Sequence, residues 1–260
     1  MIRALVLTAV LALASGAHAQ VTEIRTFAEA APPTPSAGLE GRFAARTHDG
    51  LPYRLLTPPG PGRHPLVVVL HGSGAIGTDN VSQLGAFARA WAEPALADLD
   101  AYVVVPQAPT RSADYQPGDD GLMASRPGLS LPTILALVEN LATRLPVDRG
   151  RIYVVGFSMG GSAALQALLM KPELFAAAVA FAPVPPPRDQ AAKLAGVPMM
   201  LVHGAADTEN PYASDKAWAE ALAKAGGHSR MIVYDAMDHR VPPDMIAARD
   251  WRDWLFAQRR

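Results

Sequence analysis

The 260-residue sequence contains no cysteine, and few of its residues are charged. Without cysteine, disulfide frameworks, iron–sulfur clusters, thiolate zinc sites and cysteine nucleophiles are excluded. Charged residues make up 18% of the chain, and 23 basic residues nearly balance 24 acidic ones. This balance argues against a nucleic-acid partner and against an acidic tail. Half of the residues are apolar, which favours a packed globular core over a disordered chain.

Proline and glycine are abundant in comparison, with 24 and 21 residues. Such a high content of turn-forming residues disfavours a long helical bundle or a coiled coil.

The first residues have the pattern of a secretory signal peptide. Arg3 precedes an apolar run at residues 4–14, and an Ala-His-Ala pattern ends at Ala19. The run is too short to span a bilayer, and no later segment has the pattern of a membrane span. The protein is therefore expected to be periplasmic or secreted. The predicted organisation is a signal peptide over residues 1–19, a flexible lead-in over residues 20–40 and a single domain over residues 41–260.

Beyond residue 40, strand-like and helix-like segments alternate. The Asp49-Gly50 pair predicts a tight turn between two antiparallel strands within residues 43–57. Continuous apolar runs predict buried parallel strands at residues 66–70, 102–105, 152–155 and 199–202. Helices are predicted at residues 81–99, 131–145, 159–170, 213–225 and 246–257. This alternation predicts an α/β fold with a mostly parallel sheet, helices on both faces and ligands bound beyond the carboxyl ends of the strands.

A Gly-x-Ser-x-Gly pattern follows the third of these strands. Residues 156–160 read Gly-Phe-Ser-Met-Gly and precede a helix that starts with small residues. In such a strand–turn–helix, the serine is held in a strained backbone conformation at the sheet edge, and the glycines let the strand and helix approach. An ordinary Gly-Ser turn is the alternative. The flanking strand and helix favour Ser158 as a nucleophile.

A serine hydroxyl needs a base, and histidine is the usual one near neutral pH. His239 follows the last strand and precedes the last helix, where it can reach Ser158. His71 and His203 also follow strands at the correct edge, and a structural role is predicted for both. The remaining histidines lie in the signal peptide, in polar connections or at the wrong end of a strand: His18, His48, His64 and His228.

The imidazole of such a base needs a carboxylate that orients it. Asp207 lies five residues beyond the strand at residues 199–202. The chain order Ser158, Asp207, His239 is the order found in α/β-hydrolases. Asp235, Asp238 and Glu209 are weaker candidates, since they are placed to cap loops or to face solvent.

Acyl transfer also needs two hydrogen-bond donors for the oxyanion. The backbone amide of Met159, the residue after the nucleophile, is one candidate. The other is expected in the His-Gly-Ser-Gly loop at residues 71–74, where the amide of Ser73 is preferred to that of Gly72. A simple tight turn is the alternative for this loop.

Several of these segments together resemble a known family. Four segments are similar to those of secreted bacterial α/β-hydrolases. They are residues 64–74 (HPLVVVLHGSG), residues 156–161 (GFSMGG), the HGxxD segment at residues 203–207 and the Asp-His pair at residues 238–239. The similar group is that of dienelactone hydrolase and feruloyl-esterase-like proteins, some called predicted peptidases or polyhydroxybutyrate-depolymerase-like esterases. The resemblance covers about residues 40–257. It implies the α/β-hydrolase fold and a serine hydrolase that acts through an acyl-enzyme with no cofactor and no metal. Relatives specialised for dienelactone use a cysteine nucleophile, so Ser158 disfavours that activity.

The substrate is less well defined by the sequence. Residues 107–127 follow a strand and are rich in turn-forming residues, so this segment is predicted to wall the substrate pocket, with Gln107 and Tyr115 as binding residues. An ordinary surface loop is the alternative. The short proline-rich connection at residues 183–187 leaves no room for a large lid.

The sequence thus favours an exported serine hydrolase that cleaves short-chain or polymer-borne carboxylic esters. A serine peptidase that acts on short peptides is one alternative, and a non-catalytic relative that binds carbohydrate or polymer is another. No oligomeric state is predicted.

Overall fold

The structure, a computed structural model, describes residues 9–11, 21–31 and 33–260. The predicted cleavage site after Ala19 lies outside the described residues.

Strands and helices alternate along the described chain. The strands are β1 (Ala9–Leu11), β2 (Val21–Arg25), β3 (Ala44–His48), β4 (Leu51–Leu56), β5 (His64–Leu70), β6 (Tyr102–Pro106), β7 (Ala113–Pro117), β8 (Met123–Pro127), β9 (Val147–Phe157), β10 (Ala177–Phe181), β11 (Met199–Gly204) and β12 (Ser229–Tyr234). The α-helices are α1 (Ala86–Arg89), α2 (Leu131–Arg144), α3 (Met159–Met170), α4 (Tyr212–Lys224), α5 (Pro243–Ile246) and α6 (Asp250–Phe256). Short 3-10 helices lie at Leu39–Arg42, Ser73–Ala75, Ala90–Ala92, Pro94–Leu99 and Arg188–Leu194.

Ten of these strands form one sheet in the order β1-β2-β12-β11-β10-β9-β5-β6-β4-β3. The pairs from β2 to β6 in this order are all parallel, while β4 lies antiparallel to both β6 and β3. The predicted antiparallel hairpin and mostly parallel sheet are therefore confirmed. Because the parallel strands share one direction, the loops after β5, β9, β11 and β12 meet at one edge of the sheet.

The central strands are buried because helices cover both faces of the sheet. Every residue of β5, β6 and β10 is buried, which explains their continuous apolar runs. Helices α2, α3 and α4 pack on one face. The other face packs against α1, α5 and α6, and it carries an aromatic cluster that includes Phe87, Trp91 and Trp251.

Four segments differ from their predictions. The helix predicted at residues 246–257 is divided, because α5 ends at Ile246 and α6 begins at Asp250. Residues 81–99 form not one long helix but α1 followed by two 3-10 helices, because Glu93 is extended and Pro94 interrupts the helix. Within the predicted lead-in, Val21–Arg25 is strand β2, which pairs with β12 at the side of the sheet. Residues 107–127, predicted to wall the substrate pocket, with an ordinary surface loop as the alternative, contain the two-stranded sheet of β7 and β8.

Within the described part of the chain, no helix is long and apolar enough to cross a membrane.

Candidate active site

Ser158 lies in the sharp turn between β9 and α3. Its backbone angles, φ 55° and ψ −122°, fall in a region that residues other than glycine rarely adopt. Such strain persists only where the surrounding structure enforces it, and it holds the hydroxyl at the carboxyl edge of the sheet. The side chain remains 8% exposed, so the hydroxyl stands in a largely water-excluded position.

Two glycines enforce this turn because backbone atoms occupy the space that a side chain would need. A Cβ on Gly156 would lie 2.2 Å from the carbonyl oxygen of Gly160, and one on Gly160 would lie 2.1 Å from that of Leu70. Neither contact can be relieved by a side-chain movement. The glycine requirement that the sequence pattern predicted is therefore a requirement of close backbone packing.

Ser158, His239 and Asp207 come together at this edge. The Ser158 Oγ lies 2.8 Å from His239 Nε2, and His239 Nδ1 lies 2.7 Å from Asp207 Oδ2. This geometry fits a hydroxyl that donates to Nε2 and an Nδ1–H that donates to the carboxylate. The ring of Phe157 lies 5.0 Å from the His239 ring and supports it from one side.

Backbone contacts join the loop that carries the acid to the loop that carries the base. The amides of Ala205 and Ala206 donate to the carbonyl oxygens of Tyr234 and Met237. A Cβ on Gly204 would lie 2.1 Å from the Met237 oxygen, so the two loops approach too closely for a side chain. The separation of Asp207 and His239 is thus set by main-chain contacts rather than by the flexible side chains alone.

The carboxylate of Asp207 is almost fully hydrogen-bonded. Its Oδ1 accepts the backbone amides of Glu209 and Asn210, both at 2.9 Å, and its Oδ2 faces His239 and His203. Burial alone would raise the pKa of this carboxyl, but the hydrogen bonds from His203, His239 and the Asn210 amide outweigh burial and hold the pKa well below its usual range. Asp207 is therefore ionised at neutral pH.

The predicted oxyanion donors lie on either side of the serine. Met159 is the first residue of α3 and Ser73 is the first residue of a 3-10 helix, so neither amide has an acceptor within its own helix. The loop of Ser73 reaches the nucleophile, since a Cβ on Gly72 would lie 3.6 Å from Ser158 Cβ.

The side chain of His71 stabilises the loop at residues 71–74. The Nε2 of His71 accepts the Ala108 amide at 2.9 Å, and its Nδ1–H donates to the Gly72 oxygen at 2.7 Å. Burial lowers the pKa of His71, which matches this neutral form. His71 thus ties the loop after β5 to the loop after β6.

Gln107 was predicted to bind substrate, and the structure places it elsewhere. The side chain is fully buried, and its amide nitrogen lies 3.0 Å from Asp79 and 3.3 Å from the Ala75 oxygen. Its Oε1 accepts the Asn80 amide at 2.5 Å. Since both polar atoms are occupied by the loop at residues 75–80, Gln107 supports that loop and does not face the substrate.

Tyr115, the other predicted binding residue, lies on β7 against α3. Its hydroxyl is 3.1 Å from the Oγ of Ser162, which is also 3.2 Å from the Ser158 carbonyl oxygen. Burial raises the pKa of Tyr115, and the Arg111 guanidinium lies 4.8 Å from the ring centre. Tyr115 therefore contacts α3 one helical turn after the nucleophile, and its role in substrate binding stays a prediction.

A largely apolar cavity of about 260 Å³ opens beside the serine, between the loop after β5 and α1. Its lining contains Phe157, whose ring lies 5.0 Å from the His239 ring, together with Gly72 and the α1 segment at residues 85–88, but none of the three catalytic side chains. Such a volume holds a small aliphatic or aromatic group.

The weaker candidates for the acid have other partners. Asp235 accepts the Phe27 amide at 2.9 Å, and Asp238 binds Arg240. Glu209 is exposed, and its carboxylate lies 3.9 Å from His239 Nε2, on the serine side of the ring. His203, for which a structural role was predicted, lies against Asp207 itself, a contact that the HGxxD spacing could have suggested.

Within the part of the chain that the structure describes, no group of three or more His, Asp or Glu side chains could hold a metal ion.

Comparisons with known proteins agree with this geometry. The model of a phospholipase/carboxylesterase family matches residues 128–250, a span that contains Ser158, Asp207 and His239. NocK from Nocardia uniformis subsp. tsuyamanensis, provisionally named an esterase, is 30% identical over 166 residues, which are 62% of this chain and 46% of NocK. The chain thus spans less than half of that relative.

Solved structures share the architecture. A thermostable esterase superposes with a TM-score of 0.75 at 28% identity, over 86% of this chain and 64% of that protein. Dipeptidyl peptidase 4 of Porphyromonas gingivalis superposes with a TM-score of 0.57 at 20% identity, over 76% of this chain and 32% of the peptidase. A likeness at this lower identity concerns the fold and not the substrate. The sheet order, the turn at Ser158 and these matches together show that the chain has the α/β-hydrolase fold.

Proposed function

We propose that this protein is a serine hydrolase that cleaves carboxylic esters through an acyl-enzyme. The observation that carries the proposal is the continuous chain from the strained Ser158 through His239 to the ionised Asp207, with distances of 2.8 and 2.7 Å. The match to a phospholipase/carboxylesterase family over the same residues supports an ester as the substrate.

The side chains have distinct roles in this reaction. The Ser158 Oγ attacks the ester carbonyl while His239 Nε2 takes its proton, and Asp207 stabilises the imidazolium that forms. The amides of Met159 and Ser73 donate to the oxyanion. His239 then gives the proton to the departing alkoxide, which leaves as the alcohol. A water molecule, deprotonated by the same imidazole, attacks the acyl-enzyme and releases the acid.

The cavity beside Ser158 indicates the size of the substrate. Its volume of about 260 Å³ is below the usual range for drug-sized ligands. We infer that it takes a short acyl chain or a single aromatic ring, and that such groups are supplied by small esters or by esters on a polymer that stays outside.

The activity is tested with p-nitrophenyl acetate and butyrate. Replacement of Ser158 by alanine is expected to lower kcat by about 10⁶-fold, as the loss of a nucleophile does in other serine hydrolases. The matched control is Ser130→Ala, which removes a buried hydroxyl that bonds to Thr110 and not to His239. Equal rates for the wild type and Ser158→Ala would disprove the proposal. Cleavage of peptide p-nitroanilides without ester turnover would identify a peptidase instead.

We also propose that the protein is exported to the periplasm or the medium, because residues 1–19 have the charge and size pattern of a signal peptide. Cleavage after Ala19 would leave all of β2 in the mature chain, since this strand begins at Val21. Expression of the full chain in a Gram-negative host, followed by mass spectrometry of the intact protein, is expected to give a mature form that begins at Gln20. An uncleaved cytoplasmic product would contradict export.

A further inference from the structure

A second histidine lies behind the acid of the site. His203 is the last residue but one of strand β11, and its side chain is fully buried. Its Nδ1 lies 2.9 Å from Asp215 Oδ2 on α4, and its Nε2 lies 2.8 Å from the Asn210 carbonyl oxygen and 3.3 Å from Asp207 Oδ2. The mechanism described above leaves this contact unused.

The partners of His203 determine where its protons lie. A carbonyl oxygen can only accept, so Nε2 must carry a hydrogen that points toward Asn210 and Asp207. Between Nδ1 and Asp215 lies one further proton, which the imidazole and the carboxyl share. Burial opposes charge on the imidazole, yet Asp207 and Asp215 raise the pKa of His203 to about 9, and burial raises the pKa of Asp215 as well. The pair therefore keeps its proton at neutral pH.

The hydrogen on His203 Nε2 lies beside the oxygen that His239 uses. Asp207 Oδ2 is 2.7 Å from His239 Nδ1 and 3.3 Å from His203 Nε2, so both imidazoles approach the same carboxylate oxygen. Asn210, which accepts from His203, also donates its own amide to Asp207 Oδ1 and its side-chain amide to the Ala182 oxygen at 2.7 Å. His203 thus contacts both the carboxylate and the residue that holds its other oxygen.

We propose, on the basis of the serine hydrolase activity proposed above, that His203 is a positioning residue. Together with Asp215 it fixes the orientation of the Asp207 carboxylate, so that Oδ2 faces His239 throughout the reaction. The working unit is then a chain of five side chains from Ser158 to Asp215. Besides its own members, the titratable and charged groups that face this chain are Glu209, Tyr212 and Asp238.

The chain offers a matched control in His64. This histidine is also buried, and its Nδ1 and Nε2 lie 3.0 and 3.1 Å from the carbonyl oxygens of Asp100 and Gly60. A carboxylate oxygen of Asp100 is 3.0 Å from Nδ1. Because His64 opens β5, it stands at the opposite edge of the sheet from Ser158. The two histidines share burial and bonding pattern and differ in their distance from the site.

The experiment measures kcat and KM for p-nitrophenyl butyrate between pH 6 and pH 10. His203→Gln is expected to lower kcat by about 10- to 100-fold, the range seen when a group that orients a metal ligand is removed, with little change in KM. The wild-type kcat/KM should also fall as pH rises through about 9, when the shared proton is lost, whereas His203→Gln should lack this decrease. His64→Gln is expected to keep the wild-type kcat and the wild-type pH profile.

A second variant covers the case in which His203→Gln does not fold. Asp215→Asn preserves size and removes the partner that holds the shared proton, so it should also lower kcat and lose the alkaline decrease. A folded variant at either position with the wild-type kcat and pH profile would overturn the proposal, as would an equal loss in His64→Gln.

Covalent labelling of Ser158 by a fluorophosphonate separates this proposal from the proposed function. The label reports the reactivity of the serine without any assumption about the substrate. Labelling in the wild type without ester turnover would refute the esterase proposal, and the ratio of labelling rates between wild type and His203→Gln would still test His203. No labelling of the wild type would refute both.

Discussion

The two edges of the central sheet contain the same residue types in different surroundings. At the carboxyl edge, His203, Asp207 and Asp215 are buried together beside a serine with strained backbone angles. At the amino edge, His64 is bound to carbonyl oxygens, and Asp148 pairs with Arg151 while facing solvent on one side. Since parallel strands direct their following loops to one edge only, polar side chains converge at that edge and remain dispersed at the other.

The difference lies in how tightly each group is held. Groups at the carboxyl edge are held by close main-chain contacts and by buried hydrogen bonds. Strained backbone and buried polar groups cost free energy of folding, and proteins retain them mainly at functional sites. Equivalent substitutions at the two edges should therefore have very different effects.

The largest contrast is expected for the acids. Asp207→Asn should lower kcat by about 10⁴-fold, because the neutral amide cannot stabilise the imidazolium. Its oxygen would still accept the Glu209 and Asn210 amides, so its NH2 group would face His239 Nδ1 and favour the wrong tautomer. Asp148→Asn at the amino edge is expected to leave kcat within about twofold, since it removes only partly exposed ion pairs with Arg151 and Arg259, at the edge opposite to Ser158. Steady-state kinetics with p-nitrophenyl butyrate measures both. A similar loss in the two variants would remove the distinction between the edges.

Glycine substitutions should show the next largest difference, measured as the free energy of unfolding in urea. Gly160→Ala places a Cβ 2.1 Å from a carbonyl oxygen of β5 and should cost about 3 kcal/mol or more. Gly196→Ala, which meets nothing within 4 Å at the amino edge, should change stability by about 0.5 kcal/mol or less. A Gly160→Ala protein as stable as the wild type would show that the turn at Ser158 is looser than described.

The preference for the longer acyl chain should change when a residue that lines the cavity is replaced. Gly85 lines the cavity, and a Cβ added there would meet no atom within 4 Å, so Gly85→Val is expected to fill space in the cavity. The ratio of kcat/KM for butyrate to that for acetate is expected to fall about tenfold, since one methylene in a pocket is worth at least that much. Gly196→Val serves as the control. An unchanged ratio would place the acyl chain outside this cavity.

The smallest effect concerns the stability of the buried pair at alkaline pH. The pKa of His203 is raised from 6.5 to about 9 in the folded protein, so the stability from its proton is fully present below pH 6.5 and is lost as pH rises through about 9. The wild-type Tm should therefore decrease between pH 7 and pH 10 by a few degrees more than the Tm of His203→Gln. Each kcal/mol lost from the free energy of unfolding lowers the Tm of a chain of this size by about 2–4 °C. Parallel curves would indicate that the imidazole is uncharged at pH 7.

Much of the fold could be predicted because buried strands and helices have simple patterns of apolar residues in the sequence. The apolar runs of β5, β6 and β11 identify strands that helices cover on both faces, and the bounds of α3 agree with the prediction at both ends. Strand β2 was missed because it has no such run; Ile24, its one large apolar residue with a described side chain, is 53% exposed.

The candidate site was predictable where spacing reflects backbone geometry and unpredictable where long-range contacts decide. The elbow around Ser158 is a local feature, so its glycines are visible in the sequence. Gln107 is different, because its partners lie in the loop of Asn80, 27 residues earlier in the chain. The partners of His203 are nearer in sequence, but only the folded chain brings Asp215 of α4 against its ring. Both were assigned from position alone, and each has partners that only the folded chain brings near.

The parallel pairing of β2 with β12 has a consequence for the order of folding. Val21 pairs with Arg230 and Arg25 with Tyr234. Strand β2 is therefore synthesised early, but it can pair with β12 only after the last strand of the sheet has been synthesised. At about 5–20 residues per second, the roughly 200 residues between them take about 10–40 s to synthesise. During that time β2 lacks its parallel neighbour, so this part of the sheet can be completed only after β12 has been synthesised.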